Sequence, residues 1–110
     1  MEEVMTIGRP LGPMHNPAHP GALVREDVLK EMGITVTRAA ELLGVNRSNL
    51  SQFLNERQDV TPELALKLEA CFGLEPTMLL RMQMNHNLAK ARKRQAEITA
   101  RVRRAEPMPG

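Results

Sequence analysis

The sequence predicts an all-α fold of five helices, and three observations carry that expectation. Aromatic residues are nearly absent, with two Phe, no Trp and no Tyr in 110 residues. The core must then be filled by Leu, Ile, Val, Ala and Met, a mixture that favours helices over sheets. Apolar residues recur at helical spacing through the middle of the chain. The stretches between them carry capping residues before and Gly after, the ordinary start and stop signals of helices.

Taken in order, residues 1–18 hold three Pro and two Gly with no sustained period and read as a flexible N-terminal tail. Order begins at His19-Pro20, since Pro suits the first helical turn. Leu23, Val24, Val28, Leu29 and Met32 then follow at helical spacing until Gly33. Thr35 caps a second helix rich in good helix formers, from Ala39 to Leu43, which stops at Gly44. Asn46 caps a third, with Leu50, Phe53 and Leu54 on its inner face. A polar loop runs from Asn55 to Val60, and Thr61-Pro62 opens a fourth helix carrying Leu64, Ala65, Leu68 and Phe72 up to Gly73. Glu75-Pro76 opens the fifth, which meets no breaker before Pro107 and is expected to extend over 76–104, with 105–110 as a short tail. No repeats and no convincing strands are present.

The net charge of +2 conceals an uneven distribution. From Gly21 to Glu75 six Lys/Arg face nine Asp/Glu, whereas from Arg81 to Arg104 eight Lys/Arg face Glu97 alone. Bulk charge therefore does not make the middle of the chain a nucleic-acid binder, and such a role has to rest on a few well-placed residues. No apolar stretch is long enough to span a bilayer, and the N-terminus lacks the features of a signal peptide. The single Cys71 forms no internal disulfide and points to a reducing cytoplasm; on an apolar helical stripe, it reads as a buried structural residue.

The segment from Thr35 to Leu54 is a short helix, a Gly-containing turn and a second short helix, the arrangement that presents its second helix to a DNA major groove. Helices this short hold only by packing on their neighbours, and Leu42 with Val45 is expected to plug the corner between them. Asn46, Arg47, Ser48, Asn49, Ser51, Gln52 and Asn55 make the outer face of the second helix polar and free of acid before Glu56. Arg reads guanine and Asn or Gln reads adenine through paired hydrogen bonds, while Ser and main-chain N–H groups at a helix start hold phosphates. His15, His19 and His86 lack metal-ligand spacing, and no Gly-rich phosphate loop or nucleophile constellation is present, so neither a metal, a cofactor nor enzyme activity is expected.

The run AAELLGVNRSNLSQFLN resembles the helix-turn-helix of the Xre/Cro (lambda repressor-like) family. Together with HPGALVREDVL before it, and TPELALKLEACFG and MLLRMQMNHNLAKAR after it, the chain over about residues 19–92 is similar to HigA-type (VapI-like) antitoxins of toxin–antitoxin modules. The resemblance implies a helix-turn-helix domain over 19–75 and an extended C-terminal helix over 76–104. It implies a cytoplasmic homodimer that binds a palindromic operator in double-stranded DNA, represses its own operon and neutralises a HigB-like (RelE-like) mRNA-cleaving toxin. Carried over by residue, it puts Arg47, Ser48, Asn49, Ser51 and Gln52 on base edges. Thr35, Thr37, Arg38, Asn46, Asn55 and Arg57 fall on the DNA backbone. Val36 stands where many relatives carry a phosphate-contacting Gln, and Leu79, His86 and Asn87 replace the Trp, Tyr and Asp usual around Gln83.

Met78, Leu79, Met82 and His86 are expected to pack on the domain or form the dimer contact. Met84, Leu88, Ala91, Gln95, Ile98 and Val102 sketch a weak coiled-coil seam along a helix of roughly 43 Å. The basic stretch from Lys90 to Arg104 reads equally as ordered helix or as a solvated tail, and it is placed to hold DNA phosphates without sequence preference. A stand-alone regulator without a toxin is the alternative function. An RNA-binding or interaction module that uses the basic C-terminal helix is disfavoured by the acid-free recognition face.

Overall fold

The computed structural model describes residues 17–108, so the expectation of a flexible tail falls largely outside the described residues. Among the described residues all regular structure is helical. Helix α1, Pro20–Leu23, continues directly into a π-helical stretch, Val24–Lys30; α2 spans Val36–Leu43, α3 Arg47–Leu54, α4 Pro62–Phe72 and α5 Pro76–Arg92, and a single turn, α6, spans Gln95–Ile98.

Each predicted start has a local cause. Thr35 accepts from the Arg38 N–H, Thr61 from Leu64, Asn46 from Ser48 and Asn49, and Glu75 from Thr77 and Met78. At the head of α1 the cap is His19, whose Nδ1 accepts from the Gly21 N–H at 2.9 Å. Gly44 ends α2 at φ 69°, where its N–H and that of Val45 satisfy the last carbonyls, Glu41 and Ala40.

Val24, Leu50, Phe53, Leu54, Leu68 and Leu79 are almost wholly buried and bring the π-helical stretch, α3, α4 and α5 onto one core. Each such side chain contributes about 1.5–3 kcal/mol relative to exposure. Two helices meet closely at Gly21, where a Cβ would lie 2.0 Å from the Phe53 carbonyl oxygen. Only glycine lets the first turn of α1 rest against the backbone of α3.

The structure departs from the sequence-based expectations in several places. Leu42 is 45% exposed and does not plug the α2–α3 corner, which is closed by half-buried Val45 and its main-chain bond to Ala40. The buried face of α2 is Ala39, Ala40 and Leu43 instead. Met32 is exposed and Cys71 only half-buried. The last helix stops at Arg92, not at 104; after α6 the chain is non-helical from Val102 onward. Past Ala89 every described residue is exposed, so burial no longer supports a helix, and Lys90 and Arg94 stand at a spacing where like charges repel. Ala91, Ile98 and Val102 are therefore not a continuous helical seam.

Candidate nucleic-acid interface

Helix α3 is fixed at both ends. At its start the Asn46 carboxamide oxygen accepts from the Ser48 and Asn49 N–H groups at 2.8 and 3.2 Å. Those two donors are thereby engaged by the cap. At its end Arg57 N–H donates to the Gln52 carbonyl and Glu56 N–H to that of Phe53, so the chain reverses through Glu56 at φ 65°. A non-glycine residue in this left-handed conformation costs about 1–3 kcal/mol and persists only where its surroundings hold it. Here Arg25 supplies the hold, donating from Nη1 to the Leu54 carbonyl at 2.7 Å and lying 3.8 Å from the Glu56 carboxylate. The sequence reading missed this role for Arg25, which lies 29 residues from its partner.

Between these ends Arg47, Ser48 and Asn49 are exposed and Ser51 and Gln52 half-buried on one side, while Leu50, Phe53 and Leu54 fill the core. Arg47 Nε donates to the Thr37 hydroxyl at 2.9 Å, which lays the guanidinium across the first turn of α2. Thr37, Arg38 and Arg47 thus share the α2–α3 edge, with Arg38 3.2 Å from Glu41. Asn55 Nδ2 donates to the Ser51 carbonyl and hydroxyl at 3.0 and 3.3 Å, and Arg57 stands exposed on the following loop. Thr35, like Asn46, spends its side-chain oxygen on a helix cap. An open cleft of about 290 Å³, lined by Asn49, Gln58, Asp59, Thr61, Glu63 and Lys67 among others, runs between α3 and α4.

The loop after α3 is tied to α5 by a polar ladder. Gln83, 5% exposed, accepts the Val60 N–H at 2.8 Å and donates to Asn87 at 3.1 Å; Asn87 in turn donates to Asp59 at 2.8 Å. Beside it His86 donates from Nδ1 to the Pro17 carbonyl at 2.9 Å and packs edge-to-face on His19, ring centroids 5.0 Å apart. His19 is buried against Phe53, and burial, with His86 adding to it, holds its pKa below the usual value.

The residues expected to pack or dimerise separate into two groups. Leu79 is fully buried in its own chain and Met82 and His86 are half-buried there, so Leu79 is no dimer contact. Met78 is exposed, as are Met84 and Leu88 on the same outward arc of α5. Among the described residues no group of three His, Cys, Asp or Glu side chains could hold a metal ion, and no helix is long and apolar enough to cross a membrane.

The helix-turn-helix family model matches residues 26–79. The virulence-associated protein A of Dichelobacter nodosus is 36% identical over 78 residues, covering 70% of this chain and 76% of the relative. The antitoxin HigA-1 of Vibrio cholerae is 33% identical over 81 residues, 74% of this chain and 76% of the relative. The chain belongs to the HigA- and VapI-type group of the Xre-like helix-turn-helix family. This is a family of DNA-binding antitoxins and regulators, not of enzymes. Among solved structures, the antitoxin GraA in complex with its operator is 32% identical with a TM-score of 0.74, covering 90% of this chain and 100% of that one.

Proposed function

We propose that this chain is a cytoplasmic DNA-binding antitoxin that acts as a homodimer, represses the operon encoding it and neutralises a RelE-like, mRNA-cleaving toxin. The observation that carries the DNA reading is α3 itself, whose exposed side offers Arg47, Ser48, Asn49, Ser51 and Gln52 without an acidic residue before Glu56. Arg47 and Gln52 are assigned to base edges, and Thr37, Arg38, Asn55 and Arg57 to the flanking phosphates. The Arg47–Thr37 bond supports this by setting the guanidinium before DNA arrives. Thr35 and Asn46 serve by shaping the two helix starts. Two copies meet through the outward arc of Met78, Met84 and Leu88, and present their α3 helices to successive major grooves about 34 Å apart. The antitoxin reading is supported by the similarity to GraA and HigA-1.

Two measurements test the proposal. Arg47→Ala and Gln52→Ala should each cost about 1–3 kcal/mol on the DNA upstream of the gene and relax base preference at one position. Unchanged affinity in both variants would remove the assigned face. Expression of the small reading frame next to the gene, with and without this chain, tests the toxin. Growth arrest with mRNA cleavage, relieved by this protein, supports an antitoxin, whereas harmless neighbours leave a stand-alone regulator.

A further inference from the structure

We propose that the segment beyond α5 is a second DNA-contacting element, an arginine arm that binds backbone phosphates flanking the site read by α3. This rests on the DNA-binding reading above. The arm starts close to that site: Asn87 is bonded to Asp59 in the loop after α3, and α5 ends five residues later at Arg92, about 7–8 Å along its axis. The basic end of α5 therefore begins about one and a half turns past the contact with Asp59.

Beyond that point the side chains divide by what they touch. Arg92 donates to Gln95 at 2.9 Å and Arg94 pairs with Glu97 at 2.6 Å, which holds the single turn α6 together locally. Arg101, in the turn after α6, and Arg103 and Arg104 beyond it are exposed and form no ion pair among the described residues. Three cations in four residues without an internal partner favour an external anion. The Val102 N–H bonds to the Thr99 carbonyl, so the chain turns there; from Arg101 to Arg104 it reaches at most about 10–11 Å, about three steps of 3.4 Å along the duplex axis. No aromatic residue lies between Arg81 and Met108, so the arm lacks the stacking platforms by which proteins hold unpaired bases. A duplex backbone, which asks only for positive charge and reach, fits it better.

The test is the salt dependence of binding by the full chain and by the triple variant Arg101→Gln, Arg103→Gln, Arg104→Gln. The probes are the duplex upstream of the gene and a scrambled duplex of the same composition, titrated by fluorescence anisotropy between 50 and 200 mM KCl. Each lost phosphate contact flattens the slope of log K against log salt by about 0.9. The variant's slope should be shallower by about 2–3 for each bound chain, so that across that range the native protein loses about 40-fold more affinity for each bound chain. Both duplexes should be affected alike, leaving their affinity ratio unchanged. An unaltered slope overturns the arm. A native chain that fails to prefer the upstream duplex overturns the sequence-specific reading instead, and the slope comparison on either duplex still decides the arm.

Discussion

Replacing Gln83 by Leu isolates the anchor between the loop after α3 and α5. Gln83 and Val60 are each 5% exposed, and the Val60 N–H reaches the Gln83 carboxamide oxygen at 2.8 Å. Leucine has nearly the same volume, so the packing survives while the acceptor disappears. The orphaned N–H costs about 1–3 kcal/mol, and the lost bond to Asn87 adds about 0.5–1.5 kcal/mol. The extra apolar burial returns about 1 kcal/mol. The net loss of about 1–3 kcal/mol corresponds to a fall in Tm of roughly 5–20 °C for a domain of this size. Thermal and urea unfolding followed by circular dichroism read it directly. Asn87→Ala is the comparison, because it removes two bonds at an exposed residue and orphans no buried main-chain donor. If Gln83→Leu lies within about 0.5 kcal/mol of the native chain, or is milder than Asn87→Ala, the argument from the buried N–H is wrong.

Two further predictions concern α1. Gly21→Ala should destabilise the domain by about 1–3 kcal/mol through overpacking against the Phe53 carbonyl, despite alanine's better helix propensity; equal or higher stability by denaturant unfolding refutes the close approach. His19 has a folded-state pKa below its unfolded value, so the unfolded chain takes up the proton first. Its contribution is fully present above about pH 6.5 and is lost as the pH falls from there through the folded-state pKa. His19→Asn keeps a capping oxygen and removes the titration; its loss of stability between pH 7 and 5 should be smaller than that of the native chain, and parallel curves would refute the assignment.

What the sequence made legible was local. The caps at Thr35, Asn46, Thr61 and Glu75, and the stop at Gly44, act within three or four residues and were readable from neighbours along the chain. The polar run from Asn46 to Asn55 was likewise readable as one helix face, because its periodicity lies in the sequence itself. Contacts between distant residues were not. Nothing adjacent to Gly21 announces the Phe53 carbonyl, and nothing near Arg25 announces Leu54. The difference between Met78 and Leu79 depends on which side of α5 meets the core, and two neighbouring apolar residues leave that open. The end of α5 at Arg92 was hidden for another reason: no Gly or Pro marks it, and the helix stops where its buried contacts run out.

The ladder from Val60 and Asp59 to Gln83 and Asn87 has a mechanical consequence. Helix α5 is roof to the core on one side and open on the other, and the same helix is bolted to the loop that follows α3 with no slack segment between them. Any protein seated on the outward arc of Met78, Met84 and Leu88 is then connected through α5 to the loop after α3. A tilt of α5 imposed from outside pulls on Asp59 and Val60. By reciprocity a duplex that fixes the loop restrains α5, so occupancy of the two surfaces is linked in free energy even though they share no residue.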